Sequence, residues 1–340
     1  MYQRSVFIDS VAGLMILIMV LGHIFQNCGM TDSESYKIWC TFNFFMPWFF
    51  FKSGMFLRYS DDRLLVLNAV KKLLYPFVVF TFVGWAFYSI KLFFVMHDCN
   101  WMHYFLTPVK ELLLGGTTTG NQPLWFLLVL FFVQSIYKYC VNVNAVQNHP
   151  KLFRFIFLFL SLLGSFWCYR MEIKTPSYIA STIVGLVFYC LGDACSVKQF
   201  EKKYFAISCL VMIVFFAKGV PYVVMRSNEL IYGDYFLWFL YSLCACIVVN
   251  NIFKIVKRQS WLLHYIGENA MNIYLTHWIV ITISIVVIKF FPTDFEKHEL
   301  FWGVSLSCVC LCPAINYFLN KNRDRILKPW KNKSTGTLSR

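Results

Sequence analysis

The chain has 340 residues, of which 59% are hydrophobic, 20% are aromatic and only 14% are charged. This composition excludes an intrinsically disordered protein and is too apolar for a soluble domain of this length. The formal net charge of +14 would be compatible with nucleic-acid binding. The distribution of the basic residues along the chain, described below, argues against that class.

Apolar segments long enough to cross a bilayer recur along the whole chain. A hydrophobic run of roughly 18 or more residues is typical of a transmembrane helix. The segments comprise residues 10–27, 38–57, 73–95, 123–141, 153–169, 176–195, 204–220, 235–253, 269–291 and 300–319. They predict an all-α, polytopic transmembrane helical bundle with about ten spans. We assign residues 1–320 to this membrane domain and residues 321–340 to a basic cytoplasmic tail.

Lysine and arginine residues are distributed unequally between alternate connecting segments. With the N-terminus placed in the cytoplasm, most of them fall in predicted cytoplasmic segments or in the C-terminal tail. Because positively charged loops stay on the cytoplasmic side, this bias predicts that both termini are cytoplasmic. We expect a multi-pass protein of the cell membrane, in a bacterial inner membrane. Its partner is the lipid bilayer, and no nucleic-acid partner is expected.

The first apolar segment carries two ionisable residues, Asp9 and His23. On a helix they fall within ~40° of each other but about 21 Å apart along the axis, so they cannot form a hydrogen-bonded pair. An ionisable side chain inside a membrane helix is costly and is therefore a functional candidate. His23 is either a histidine that bonds a neighbouring helix or a general base acting on a hydroxyl. Asp9 either caps its helix or contributes to the site.

Three further candidates lie in later segments. Lys52 either extends toward the lipid headgroups or pairs with Asp9 inside the membrane. Tyr274 and His277 lie three positions apart and are neighbours on one helix face. His277 either packs and makes one interhelical hydrogen bond or takes part in the chemistry.

A polar stretch rich in glycine and threonine, residues 115–123, leads directly into Trp125. It is either an ordinary exposed loop or a mobile lip over an outward-facing acceptor site.

Several catalytic classes lack their sequence signatures. The 13 cysteines include no C-x-x-C pair, and the histidines show no H-x-x-x-H or H-E-x-x-H spacing, so we expect no metal site. The sequence contains no P-loop, no dinucleotide-binding fingerprint and no G-x-S-x-G motif. Covalent serine catalysis therefore has no support.

Four motifs occur in the order found in the integral-membrane acyltransferase 3 family. The motifs are Arg4…Asp9…Gly13…Leu21-Gly22-His23, residues 45–54 (FMPWFFFKSG), Pro123-Leu124-Trp125-Phe126-Leu127, and residues 266–277 (IGENAMNIYLTH). The chain resembles this family over essentially its whole length, and in particular the fucose 4-O-acetylase-like branch.

The resemblance implies transfer of an acyl group, commonly acetyl, to a hydroxyl of a cell-surface glycan or lipid-linked sugar. The donor would be acetyl-CoA or another acyl-CoA, used as a co-substrate, with no bound cofactor. The family's essential histidine corresponds to His23. We therefore expect catalytic roles for His23, Asp9 and His277. We expect donor or acceptor binding by Arg4, Lys52, Ser53, Trp125 and Tyr274.

The sequence departs from the family pattern at Ala12, where an Arg or Lys is usual. If that cation holds the donor or pairs the aspartate, the protein is weakened, altered or inactive. We hypothesise that Lys52 supplies the missing charge from the neighbouring helix. A catalytically silent relative and a transporter or flippase for a glycolipid or small anion stay open as alternatives. The internal pseudo-repeats and paired broken helices of many transporters are not evident in the sequence.

Overall fold

The computed structural model describes residues 6–57, 67–94, 97, 100–142, 149–173, 178–195, 198–225, 230–231, 233–256, 258–290 and 295–322. Helices make up most of this part of the chain. In chain order they are α1 (Val6–Asn27), α2 (Glu34–Cys40), α3 (Phe45–Met55), α4 (Tyr75–Phe94), α5 (Trp101–Lys110), α6 (Trp125–Val141), α7 (Pro150–Arg170), α8 (Ile179–Cys195), α9 (Lys202–Lys218), α10 (Tyr235–Ile255), α11 (Trp261–Glu268), α12 (Ala270–Phe290) and α13 (Lys297–Lys321).

Shorter elements connect several of these helices. A π-helical turn, Val70–Leu74, precedes α4, and a second, Glu111–Gly115, follows α5. A 3₁₀ turn, Gln122–Leu124, leads into α6, and another, Lys198–Phe200, precedes α9. Between α9 and α10, β1 (Val224–Met225) pairs antiparallel with β2 (Leu230–Ile231), with Val224 opposite Ile231. This two-residue pair does not change the all-α class.

Seven helices of the described chain are long and apolar enough to cross a membrane. They are Val6–Asn27, Leu67–Phe94, Gln122–Val141, Pro150–Arg170, Tyr235–Ile255, Ala270–Lys289 and Lys297–Lys321. Helix α8 is apolar but shorter. The predicted all-α, polytopic helical bundle is confirmed. The count of ten spans, the placement of the termini and the division at residue 320 stay predictions, and residues 323–340 of the predicted tail lie outside the described part.

Each of the ten predicted segments contains a helix, but segment 38–57 is divided between α2 and α3. Proline lacks a backbone N–H and clashes with the preceding turn, so it is tolerated best in the first turn of a helix. Pro47 lies in the first turn of α3, where it meets this requirement. A single continuous helix through this segment is therefore disfavoured.

Helix α1 lies in the interior of the bundle and packs against α11, α12, α10 and α3. Most of its residues are buried, which fits a helix that is apolar on all sides. A reciprocal glycine contact joins α1 to α11. A Cβ on Gly13 would overlap the carbonyl group of Leu263, and a Cβ on Gly267 would overlap the carbonyl group of Asp9. Glycine at both positions lets the two backbones touch, as is common between membrane helices.

Helices α3 and α8 meet in the same way. A Cβ on Gly54 would overlap the carbonyl group of Tyr189, and a Cβ on Gly192 would overlap the carbonyl group of Phe51. Gly54 belongs to the second of the sequence motifs, so part of that motif serves helix packing.

Buried polar side chains link the helices further. The Trp48 indole N–H of α3 donates to Asn250 Oδ1 of α10 at 2.9 Å, and Asn250 Nδ2 donates to Gln199 Oε1 at 2.9 Å. Elsewhere, Arg154 Nε of α7 donates to Asp193 Oδ2 of α8 at 2.7 Å. Interhelical hydrogen bonds of this kind hold membrane helices in register.

We expect Gly54→Ala to destabilise the protein by about 1–3 kcal/mol, because the new methyl group meets a backbone carbonyl that cannot rotate away. The measurement is thermal unfolding of the purified protein in detergent. Gly164→Ala is the matched control, since a Cβ there lies 3.4 Å from Ile183 Cγ2 in ordinary contact. That control should be neutral or stabilised by up to ~1 kcal/mol through helix propensity. Equal unfolding temperatures for the two variants would contradict the packing argument.

Candidate active site

His23 lies in the last turns of α1, where α1 meets α12. Its imidazole ring stacks on that of His277, with ring centroids 5.4 Å apart and planes inclined by 27°. The Trp278 ring contacts it edge-on, with centroids 5.2 Å apart. Two histidines that are far apart in the sequence are therefore neighbours in the structure.

His277 is fully buried, and its two ring nitrogens have different surroundings. Nδ1 lies 2.8 Å from the Tyr274 carbonyl oxygen and 3.2 Å from that of Ile273. Because both neighbours are acceptors, this hydrogen-bond network assigns the proton of neutral His277 to Nδ1. Nε2 has no hydrogen-bond partner within the described chain. A buried polar atom without a partner is rare in folded proteins and marks a position worth testing.

His23 is half-buried and forms part of the wall of a cavity of about 670 Å³, which we call the His23 cavity. Its Nδ1 lies 3.4 Å from Gln26 Oε1, a long contact that leaves the ring accessible. Helix α12 contributes Trp278 and Tyr274 to the wall. Polar side chains around the cavity include Gln26, Thr31, Asn43, Thr117, Gln122 and Tyr222.

A second cavity of about 400 Å³, which we call the Lys52 cavity, lies between α1, α3, α6, α8 and α12. Its polar lining includes Lys52, Ser53, Gln134 and Lys138, and the rest is mainly apolar. The Lys52 ammonium group lies 5.3 Å from the centroid of the Trp48 ring, in cation–π contact. The Ser53 hydroxyl donates to the Phe49 carbonyl oxygen at 2.8 Å.

The two cavities follow one another along the same helices. On α1, Ile16 and Met19 line the Lys52 cavity, and Met19, His23 and Gln26 line the His23 cavity. Residues three or four apart share a helix face, so these residues form one continuous stripe. Four residues line both cavities, namely Met19, Met46, Phe126 and Tyr274. They form a wall that the two cavities share.

The family model Acyl_transf_3, described as an acyltransferase domain, matches residues 5–321. The chain belongs to the acyltransferase 3 family. It is therefore a multi-pass membrane protein of an enzyme family that transfers acyl groups other than amino-acyl groups. No curated protein and no solved structure shows significant similarity to it. Its place in the fucose 4-O-acetylase-like branch stays a prediction.

The acyltransferase brings most of the predicted site residues to these two cavities. His23 and Trp125 line the His23 cavity, Lys52 and Ser53 line the Lys52 cavity, and Tyr274 lines both. The Tyr274 hydroxyl donates to the Pro123 carbonyl oxygen, which joins two of the sequence motifs.

The remaining predicted residues lie elsewhere. His277 stacks on the His23 ring and lines neither cavity. Asp9 is buried near the start of α1, beside Gly267, and also lines neither cavity. Its catalytic role and its pairing with Lys52 stay predictions. Arg4 lies outside the described residues.

The polar stretch 115–123 is partly buried, so it is not the ordinary exposed loop that one interpretation of the sequence gave. Gly116, Thr118, Asn121 and Pro123 are buried within it. The Thr118 hydroxyl donates to the Asn121 carbonyl oxygen, and Asn121 Nδ2 donates to the Leu275 carbonyl oxygen at 2.9 Å. These bonds satisfy polar groups that water would otherwise satisfy, so a polar stretch can be buried. Movement of this segment as a lip stays a prediction.

Sequence reasoning missed several residues of the site. Trp278 directly follows His277 and contacts His23, but a tryptophan in a span is usual and gave no signal. Lys138 was interpreted only as a cytoplasmic charge. Gln134 precedes it by one turn on the same face of α6, and this pair of polar residues was the signal available in the sequence. Met19 and Met46 look like ordinary core residues. In the described chain, no three His, Cys, Asp or Glu side chains come together as a metal site would require.

The unpartnered nitrogen of His277 can be tested with two amide substitutions. In His277→Asn the amide can replace Nδ1 but nothing occupies the position of Nε2, whereas the longer side chain of His277→Gln reaches that position. We expect His277→Asn to lower acyl transfer about tenfold, which corresponds to ~1.4 kcal/mol of barrier, and His277→Gln to retain most activity. The measurement is initial rate with equal amounts of folded protein. Equal losses in the two variants would indicate that only the stacking on His23 matters.

Proposed function

We propose that this acyltransferase is a membrane O-acyltransferase that transfers an acyl group, most simply acetyl, from acyl-CoA to a hydroxyl of a cell-surface glycan or lipid-linked sugar. The observation that supports this proposal is the position of His23. It lies in one cavity of the bundle, one helical turn beyond the wall shared with a second, cationic cavity. Two substrates that enter from opposite ends can therefore meet beside an imidazole.

The charge of the Lys52 cavity suits the donor. Lys52 and Lys138 contribute two cations to its lining, which includes no Asp or Glu among the residues that the structure describes. Lys72, in the π-helical turn before α4, lies close enough to Lys138 for the two charges to interact. A coenzyme A ester carries phosphate groups, and clustered cations attract such an anion to the mouth of a site. The predicted orientation places this end of the bundle at the cytoplasm.

The position of Ala12 supports compensation by Lys52. Ala12 lies one turn before Ile16 and two turns before Met19, so these three residues share a face of α1. Ile16 and Met19 line the Lys52 cavity. A cation on α1 at position 12 would therefore point toward the side of the helix that Lys52 faces from α3.

In the proposed mechanism, His23 removes the proton from the acceptor hydroxyl as the hydroxyl oxygen attacks the thioester carbonyl carbon. The bond from that carbon to sulfur breaks, the acyl group remains on the acceptor oxygen, and the departing thiolate of coenzyme A takes the proton from the imidazolium to become a thiol. The stacked His277 holds the His23 ring in place. The mainly apolar lining of the Lys52 cavity limits access of water to the donor, which water would otherwise hydrolyse.

The lining of the His23 cavity suits an acceptor with several hydroxyl groups. Gln26, Asn43, Thr117 and Gln122 place amide and hydroxyl groups around it. Trp125 and Trp278 add aromatic surface against which the apolar face of a sugar ring packs.

We expect His23→Ala to lower acyl transfer about 10²- to 10⁴-fold, the usual contribution of a general base. The measurement is incorporation of radiolabel from acetyl-CoA into the host's glycan fraction, with equal membrane levels of each variant. His264→Ala is the matched control, since His264 lies on α11, outside both cavities. Full incorporation with His23→Ala would refute the role of His23. No incorporation with the unmodified protein, across several acyl-CoAs and glycan pools, would favour transport or a silent relative.

We expect Lys52→Met to lower transfer about 100-fold, or ~2.7 kcal/mol, because the donor loses a cation in a site of low dielectric constant. Lys52→Arg keeps the charge and should recover part of the activity. Lys203→Met removes a solvent-exposed lysine that pairs with Glu201 and is the control. Full activity of Lys52→Met, with its folding unchanged, would remove the hypothesis that Lys52 replaces the cation missing at Ala12.

A further inference from the structure

We propose that the wall shared by the two cavities, formed by Met19, Met46, Phe126 and Tyr274, determines the size of the acyl group that is transferred. This inference rests on the proposed function, since it assigns the donor to the Lys52 cavity and the reaction to the His23 cavity. The acyl end of the donor must then pass between these four side chains.

Two of the four side chains are held firmly. The Tyr274 hydroxyl donates to the Pro123 carbonyl oxygen, and its ring contacts that of Phe126 with centroids 5.9 Å apart. Phe126 also contacts Phe50, a fully buried residue of α3, with centroids 5.0 Å apart. Moving either ring would disrupt these contacts, so this half of the wall has a fixed shape.

The other two side chains can adapt. Met19 and Met46 are buried, and methionine is unbranched, with several rotatable bonds that let it fill or vacate a gap. They come from α1 and α3, whereas the rings of Phe126 and Tyr274 come from α6 and α12. Rotation of the two methionine side chains would therefore open a passage without moving a helix.

The position of Met19 relates this passage to the chemistry. Met19 precedes His23 by one turn on the same face of α1, about 6 Å along the axis. An acyl group that passes Met19 therefore arrives beside the imidazole. A short acyl group needs only the methionines to move, whereas a longer chain also requires space occupied by the fixed rings. The same wall keeps water of the His23 cavity away from a thioester that waits in the Lys52 cavity.

The test compares chain-length preference in the unmodified protein, Met19→Ala and Met46→Ala. Radiolabelled acetyl-, butyryl- and hexanoyl-CoA are supplied with the host glycan fraction, and acyl transfer and release of free coenzyme A are both measured. We expect the ratio of hexanoyl to acetyl transfer to rise about tenfold or more in each variant, since single methylene groups in apolar pockets change specificity by such factors. We also expect more coenzyme A release without transfer. Met46→Val, a milder truncation, should give a smaller change of the same sign if Met46→Ala does not fold.

Met15→Ala is the matched control. Met15 is fully buried on α1 and lines neither cavity, so its truncation removes the same atoms from the core without widening the passage. Its chain-length ratio should equal that of the unmodified protein. Unchanged ratios in Met19→Ala and Met46→Ala, with acetyl transfer retained, would overturn the role of the wall and leave the proposed function standing. Absence of transfer for every acyl-CoA in the unmodified protein would overturn the proposed function itself.

Discussion

The site depends on the close contact between α1 and α11, in which Gly13 and Gly267 let the two backbones touch. His23 follows Gly13 by ten residues, and His277 follows Gly267 by ten residues. Because α12 begins directly after α11 and both run alongside α1, equal spacing brings the two histidines to the same level. The glycine contact thus fixes the register in which the imidazoles stack. A shift of one residue along either helix would rotate its histidine by about 100°.

The motifs of the family therefore combine two kinds of residue. Gly13, Gly54 and Gly267 permit helix contacts, whereas His23 and Lys52 face cavities. Both kinds are needed for one arrangement, because a cavity inside a membrane bundle exists only where neighbouring helices are held in place by close contacts elsewhere. The glycine contacts lie in the first half of α1, at Gly13, and on α3, at Gly54. The larger His23 cavity is lined in part by the segment at residues 115–126.

The sequence was sufficient for the fold class because hydrophobic length alone predicts membrane helices. Hydropathy joined α2 and α3 into the single segment 38–57, because it does not register the effect of Pro47 on helix continuity. His23 and His277 were each identified as costly polar residues in apolar segments. Their stacking could not be predicted, because it depends on the contact of α1 with α11. Asn121 was missed because the composition of residues 115–123 is typical of an exposed loop. Its side-chain amide nevertheless donates a hydrogen bond to the Leu275 carbonyl oxygen of α12.

The two cavities also suggest which step the missing cation at position 12, where this chain has Ala12, would affect. Ala12 precedes His23 by eleven residues, or about 16 Å along α1, so the two positions lie at different levels of the helix. Under the proposed function, a cation at position 12 acts on the donor and leaves the basicity of His23 almost unaffected at that distance. Under that proposal, the departure concerns how tightly the donor is held and leaves the proton transfer intact. Lys52 lines the Lys52 cavity from α3, so under the same proposal it supplies a cation to the donor from a different helix.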